Sequence, residues 1–95
     1  MAAFIVFVRE RTRDAGELAI YAEKAPAGLV GHPITIRALY GRHEVIEGPD
    51  VEGVAILEFP TFEEAKAWYE NPIYSEARQH RLKGGDYLGV IVEGV

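Results

Sequence analysis

The sequence contains no cysteine, and that single absence removes disulfides, thiolate zinc centres and cysteine nucleophiles together. It also lacks any run of five or more Lys and Arg. Ten basic residues against fifteen acidic ones give a formal net charge of -5, a sign that repels phosphate backbones, so nucleic acid is not an expected partner. Long apolar runs are missing as well. The N-terminal AAFIVFV meets RERTRD before it is long enough for a signal or membrane-spanning segment, and a soluble, cytoplasmic protein with no membrane partner is the expectation. Local catalytic signatures are equally scarce. There is no HxH, HExxH or carboxylate–His spacing for a metal, and no GxGxxG, P-loop or GxSxG, so neither metal nor cofactor is expected.

What is present fits one small domain spanning residues 1–95, without internal repeat, linker or low-complexity segment. A chain of this size buries only about 60–65% of the surface its unfolded form exposes, so further burial would help it. AFIVFVR at 3–9 reads as a strand apolar on both faces, with Phe4, Val6 and Val8 on one and Ile5 and Phe7 on the other. Asp14 is positioned as the N-cap of a helix carrying Leu18, Tyr21, Ala22 and Ala25. HPITIRALYG and HEVIEG read as an extended pair joined around Gly41-Arg42 and closed by Gly48-Pro49-Asp50, and VEGVAILEF as the next strand. Thr61 with Glu64 three residues later forms a capping-box pattern after Pro60, which starts a helix at Phe62. Asn71-Pro72 breaks that helix and caps another, which ends at Gly84-Gly85 before a final strand, YLGVIVEG.

This order predicts an α+β, ferredoxin-like domain: a four-stranded antiparallel sheet with helices on one face. Three strands are apolar on both faces, so the uncovered side would expose more than the few hundred Å² usual for a monomer. A second copy stacked sheet to sheet is the economical cover, and the expected partner is therefore self, as a homodimer.

The stretch LEFPTFEEAKAWYENPIYSEARQHR, with HEVIEG before it and VIVEG after it, resembles a family described as a domain of unknown function, DUF thirteen-thirty, of the dimeric α+β barrel superfamily. The resemblance covers nearly the whole chain and implies fold and dimerisation without naming an activity. Elsewhere in that superfamily stand small monooxygenases, haem-handling enzymes and lactone isomerases. Many family members carry Arg-Gly-Gly where this chain reads Leu39-Tyr40-Gly41. A ligand role for that arginine does not carry over, and Arg37 substitutes for it only if it faces the same side.

Several residues could exceed a packing role. Glu58 shares its strand face with Val54 and Ile56 and needs a partner, which makes it a general base or substrate anchor if it faces a pocket and an ion-pair member if it meets an arginine. His32, fixed in Gly31-His32-Pro33, is a second acid–base candidate. Tyr74, Arg78 and Arg81 lie at i, i+4 and i+7 on one helix face, suited to an anion, although cations near a helix C-terminus also serve its dipole. With Tyr40, Trp68, Tyr74 and Arg78 as binding residues and Glu58 and His32 as catalytic ones, the expected site is a pocket for an organic acid or anion between sheet and helices, possible seat of cofactor-free acid–base chemistry. The alternative is a non-enzymatic dimer in which the same residues only pack. Whether Glu58 and Arg78 face a cavity or pair with each other separates the two.

Overall fold

The computed structural model describes residues 1–95. Strands β1 (Ala3–Thr12), β2 (Thr35–Leu39), β3 (Gly53–Phe59) and β4 (Gly85–Glu93) form one sheet in the order β2-β3-β1-β4. Every neighbouring pair is antiparallel. Helix α1 (Ala15–Lys24) with a short 3₁₀ turn (Ala25–Leu29) joins β1 to β2, and α2 (Phe62–Glu70) with α3 (Pro72–Gly84) joins β3 to β4. That order is the split β-α-β of the ferredoxin-like fold.

Each helix starts where a side chain takes over the free backbone N–H groups. The Asp14 carboxylate accepts from the Gly16 and Glu17 amides, Thr61 Oγ1 from the Glu64 amide, and Asn71 Oδ1 from the Ile73 and Tyr74 amides with Pro72 next in line. Such a cap is worth about 1 kcal/mol. Asn71 therefore does two things: it leaves α2 and begins α3 at a different angle.

Strand parity then sorts the side chains. Ala3, Ile5 and Phe7 of β1 with Ala55, Leu57 and Phe59 of β3 are buried under Ala65 and Trp68 of α2 and Tyr74 and Ala77 of α3. The other parity lies on the open face in three cross-strand rows: Val54–Val8–Leu88, Ile56–Val6–Val90 and Glu58–Phe4–Val92. Eight of those nine side chains are apolar, and nothing in the chain covers them; Leu88, Val90 and Val92 are 55%, 43% and 49% exposed.

One expected element is absent. HEVIEG is not a strand: residues 41–52 run as an irregular loop. The strand expected to pair with it, β2, is the outermost of the sheet and bonds only β3, so its outer edge stays open, and nothing in the structure explains why the segment does not pair there. Tyr40, in the left-handed region at φ 55°, makes the last backbone bond to β3, from its amide to the Val54 carbonyl at 2.8 Å.

The far end of β1 is fastened by two carboxylates. Glu52 accepts from the Thr12 amide and hydroxyl and from Arg9 Nε, and Asp86 accepts from Arg13 Nε at 2.8 Å and pairs with Arg11 at 2.9 Å. The Thr12 hydrogen bonds hold Glu52 below the ordinary carboxylate range, and the Arg13 hydrogen bond does the same for Asp86. Because the folded state depresses both, their contribution is full above the ordinary carboxylate range and is lost as pH falls through and below it. Urea titrations at a series of acid pH values should show stability falling there, with Glu52→Gln flattening the slope; parallel curves for the two proteins would remove Glu52 from this role.

Candidate functional site

Helix α1 packs on α3 more than on the sheet, and none of its residues is fully buried. Three side-chain contacts tie the two helices: Tyr21 to Tyr74, hydroxyl to hydroxyl at 2.9 Å, Glu17 to His80 Nδ1 at 2.6 Å, and Lys24 to Glu76 at 3.5 Å. The 3₁₀ turn is held equally close, since a Cβ on Gly28 would stand 3.0 Å from Tyr74 Cβ. Drawn towards α3, this layer leaves a gap over β2 and β3, a cavity of about 340 Å³. Leu18, Tyr21 and Leu29 roof it, Phe7, Ala55 and Leu57 floor it, and Ile36, Leu39, Tyr40, Trp68 and Tyr87 stand around it. The one charged lining residue, Arg9, is paired with Glu52 at 3.1 Å.

The inward stripe of α3 is Tyr74, Ala77, Arg81 and Gly84, all buried. Arg81 is thus a cation placed in the core, 2% exposed. No Asp or Glu pairs with it, and its Nε has no hydrogen-bond partner in the protein. Instead its Cζ lies 4.3 Å from the centre of the Phe7 ring and 4.7 Å from that of Tyr87. Those two rings also wall the cavity, while on its other side Arg81 lines a groove of about 310 Å³ between α3 and β4. Cation–π contacts of this kind return about 0.5–2 kcal/mol each, less than the several kcal/mol it costs to bury an unpaired ion.

The tyrosines around Arg81 record both effects. Burial pushes the Tyr21, Tyr40 and Tyr74 hydroxyls up, above the ordinary phenol value, and the Arg81 charge pulls each of the three back down without reversing the shift. All three are therefore neutral hydroxyls near neutral pH, able to donate and unsuited to act as bases.

Of the six residues expected to form the site, the structure brings three together. Tyr40 and Trp68 line the cavity, and Tyr74 closes it from behind, its ring centre 4.0 Å from that of Trp68 and its hydroxyl on Tyr21. Tyr40 owes its place to Gly53, where a Cβ would come within 2.8 Å of the Tyr40 ring. Arg78 is elsewhere: its Nη1 donates to the Tyr69 carbonyl at 2.9 Å and its guanidinium covers the Tyr69 ring, a brace across the α2–α3 break. His32 Nε2 meets Asn71 Nδ2 at 2.6 Å, so it accepts there and supports the α3 cap away from the cavity.

Glu58 requires a correction. It does not share a pocket with the others, because parity in β3 sends Leu57 and Phe59 under the helices and Glu58 to the open face. There it receives Arg37 Nε at 2.7 Å, and it neither pairs with Arg78 nor reaches the cavity. The residues the expected site lacked are Arg81, Tyr21 and Tyr87. No three His, Asp or Glu side chains gather as a metal ion would need, and no helix is long and apolar enough to cross a membrane.

A ferredoxin-like α+β sheet with an uncovered apolar face and a cavity under its helices defines the class. The chain belongs to the family described as Domain of unknown function (DUF1330), whose model matches residues 2–95. No curated protein is similar enough to count as a relative. Solved structures share the fold at low identity. A protein of unknown function from Rhodopseudomonas palustris superposes with a TM-score of 0.74 at 18% identity, over 99% of this chain and 82% of its own. A dimeric ferredoxin-like protein of unknown function from Jannaschia gives 0.68 at 15% identity, over 99% and 100%. A dimeric ferredoxin-like protein from Bacteroides fragilis gives 0.65 at 16%, over 98% and 96%.

Proposed function

We propose that the protein is a homodimer that binds a small organic acid, its apolar body in the cavity and its acid group reaching past the Phe7 and Tyr87 rings to Arg81, which lines the groove on their far side. The observation that carries the ligand reading is the buried guanidinium without a counter-anion. An ion held that way lacks a partner that a carboxylate supplies, in the planar, two-pronged geometry a guanidinium favours. The cavity volume of about 340 Å³ falls at the small end of ligand pockets, and its lining is mostly apolar with a few polar groups, as such pockets are.

The same lining speaks for binding over acid–base chemistry. Neither Glu58 nor His32, nor any other carboxylate or imidazole, borders the cavity, and the tyrosines there are pushed away from the pKa a base needs. The dimer reading rests on the three apolar rows of the open sheet face, and the two relatives described as dimeric support it.

Thermal unfolding in the presence of phenylacetate and of phenylacetamide tests the ligand reading, since the two differ in charge and little in shape. Phenylacetate at a hundredfold excess over its Kd should stabilise by about 2.7 kcal/mol, and the amide should do nothing at the same concentration. Equal effects, or none from either, would sink it.

A further inference from the structure

We infer that the acid bound at Arg81 is an oxo acid, or another acid whose remaining polar groups only accept hydrogen bonds, and that the matching amino and hydroxy acids are rejected. This rests on the acid-binding reading above and narrows it to a ligand class.

The buried side-chain polar atoms left without a partner in the protein are Trp68 Nε1 and Arg81 Nε. Both are N–H groups, and neither indole nor guanidinium has any capacity to accept. Trp68 lines the cavity and Arg81 the groove beyond the Phe7 and Tyr87 rings, and each is 2% exposed. The hydroxyl pair Tyr21–Tyr74 adds to the surplus. Whichever of the two donates across their 2.9 Å bond, the other keeps a proton to give. Against these donors the cavity sets no carboxylate, amide or imidazole side chain, and tyrosine oxygens are its only side-chain acceptors.

A ligand carbonyl beside the carboxylate supplies an acceptor where donors are unpaired. A ligand hydroxyl can accept there too, but it brings a proton of its own that must go to a tyrosine oxygen, and those of Tyr21 and Tyr74 are already bonded to each other. An ammonium does worse, because it brings a second positive charge next to Arg81 and finds no anion: Arg9's partner, Glu52, is already engaged. Sites whose buried polar groups are left unmatched reject the wrong analogue far more strongly than apolar pockets reject a methylene.

Four probes on one skeleton decide it: benzoylformate, phenylacetate, mandelate and phenylglycine, titrated calorimetrically into the full chain at pH 7.5. Benzoylformate should bind tightest, mandelate about tenfold more weakly and phenylglycine at least about 100-fold more weakly. Trp68→Phe, which removes the orphan N–H and keeps a ring, should narrow the gap between benzoylformate and phenylacetate while both still bind. If mandelate or phenylglycine matches benzoylformate, the oxo-acid assignment is wrong and the acid site stands. If Trp68→Phe leaves the gap unchanged, Trp68 is not its source and the assignment falls with it. If none of the four binds, the acid site falls too.

Discussion

Replacing Val90 by Asp is expected to turn the protein into a monomer. Val90 closes the central cross-strand row of the open face, beside Val6 and Ile56, and is 43% exposed in the single chain. In the lone subunit the new carboxylate reaches water and costs the fold little. Between two stacked sheets it lies among apolar side chains, where an unpaired charge costs several kcal/mol, and two-fold symmetry places a second copy of the same charge in the same interface. A loss of about 4 kcal/mol raises the dimer dissociation constant about a thousandfold. Sedimentation equilibrium across a concentration series reads this directly. A Val90→Asp protein that stays dimeric would put the interface on another surface, and a wild-type monomer at high concentration would remove the sheet-to-sheet reading.

Much of this architecture could be read from the residues because local signals agreed with tertiary demands. Asp14, Thr61 and Asn71 cap the helices they precede, and the two-sided apolar character of AFIVFVR appears in the structure as a covered and an open face. HEVIEG misled because alternation says that a segment could pair and not that it does: the outer edge of β2 is free for it and stays unpaired. The site was half legible for a related reason. The parity that set Glu58 opposite Leu57 and Phe59 was already in the sequence, but which parity the helices would cover depends on where Ala65 and Trp68 land. The spacing of Tyr74, Arg78 and Arg81 pointed at the right helix face and left two arginines to choose from. The small residues Ala77 and Gly84 extend a 74-77-81-84 stripe that includes Arg81 and leaves Arg78 to one side. Tyr21 and Tyr87 carried no comparable signal, since a tyrosine on an amphipathic helix or a closing strand is ordinary core material until a buried charge lies beside it.

Arg81→Met should weaken acid binding sharply without weakening the fold. Charge-assisted hydrogen bonds to a buried anion are worth about 1.5–3 kcal/mol, so the affinity for phenylacetate or benzoylformate should drop about 10- to 150-fold. Stability moves the other way or not at all. Met fills a similar volume between the Phe7 and Tyr87 rings and keeps a favourable sulfur–aromatic contact there. It also lifts the desolvation cost of an ion that no carboxylate balances, and exchanging buried ions for well-packed apolar side chains is often neutral or stabilising by about 1–4 kcal/mol. If Arg81 were simply a core residue held by its two rings, the same substitution would cost stability and leave ligand affinity untouched. Urea unfolding of both proteins without ligand, beside calorimetric titration with it, therefore separates the two accounts. A destabilisation above about 2 kcal/mol with unchanged affinity would favour packing, whereas an unchanged midpoint with lost affinity means that this cation is kept in the core for what it binds.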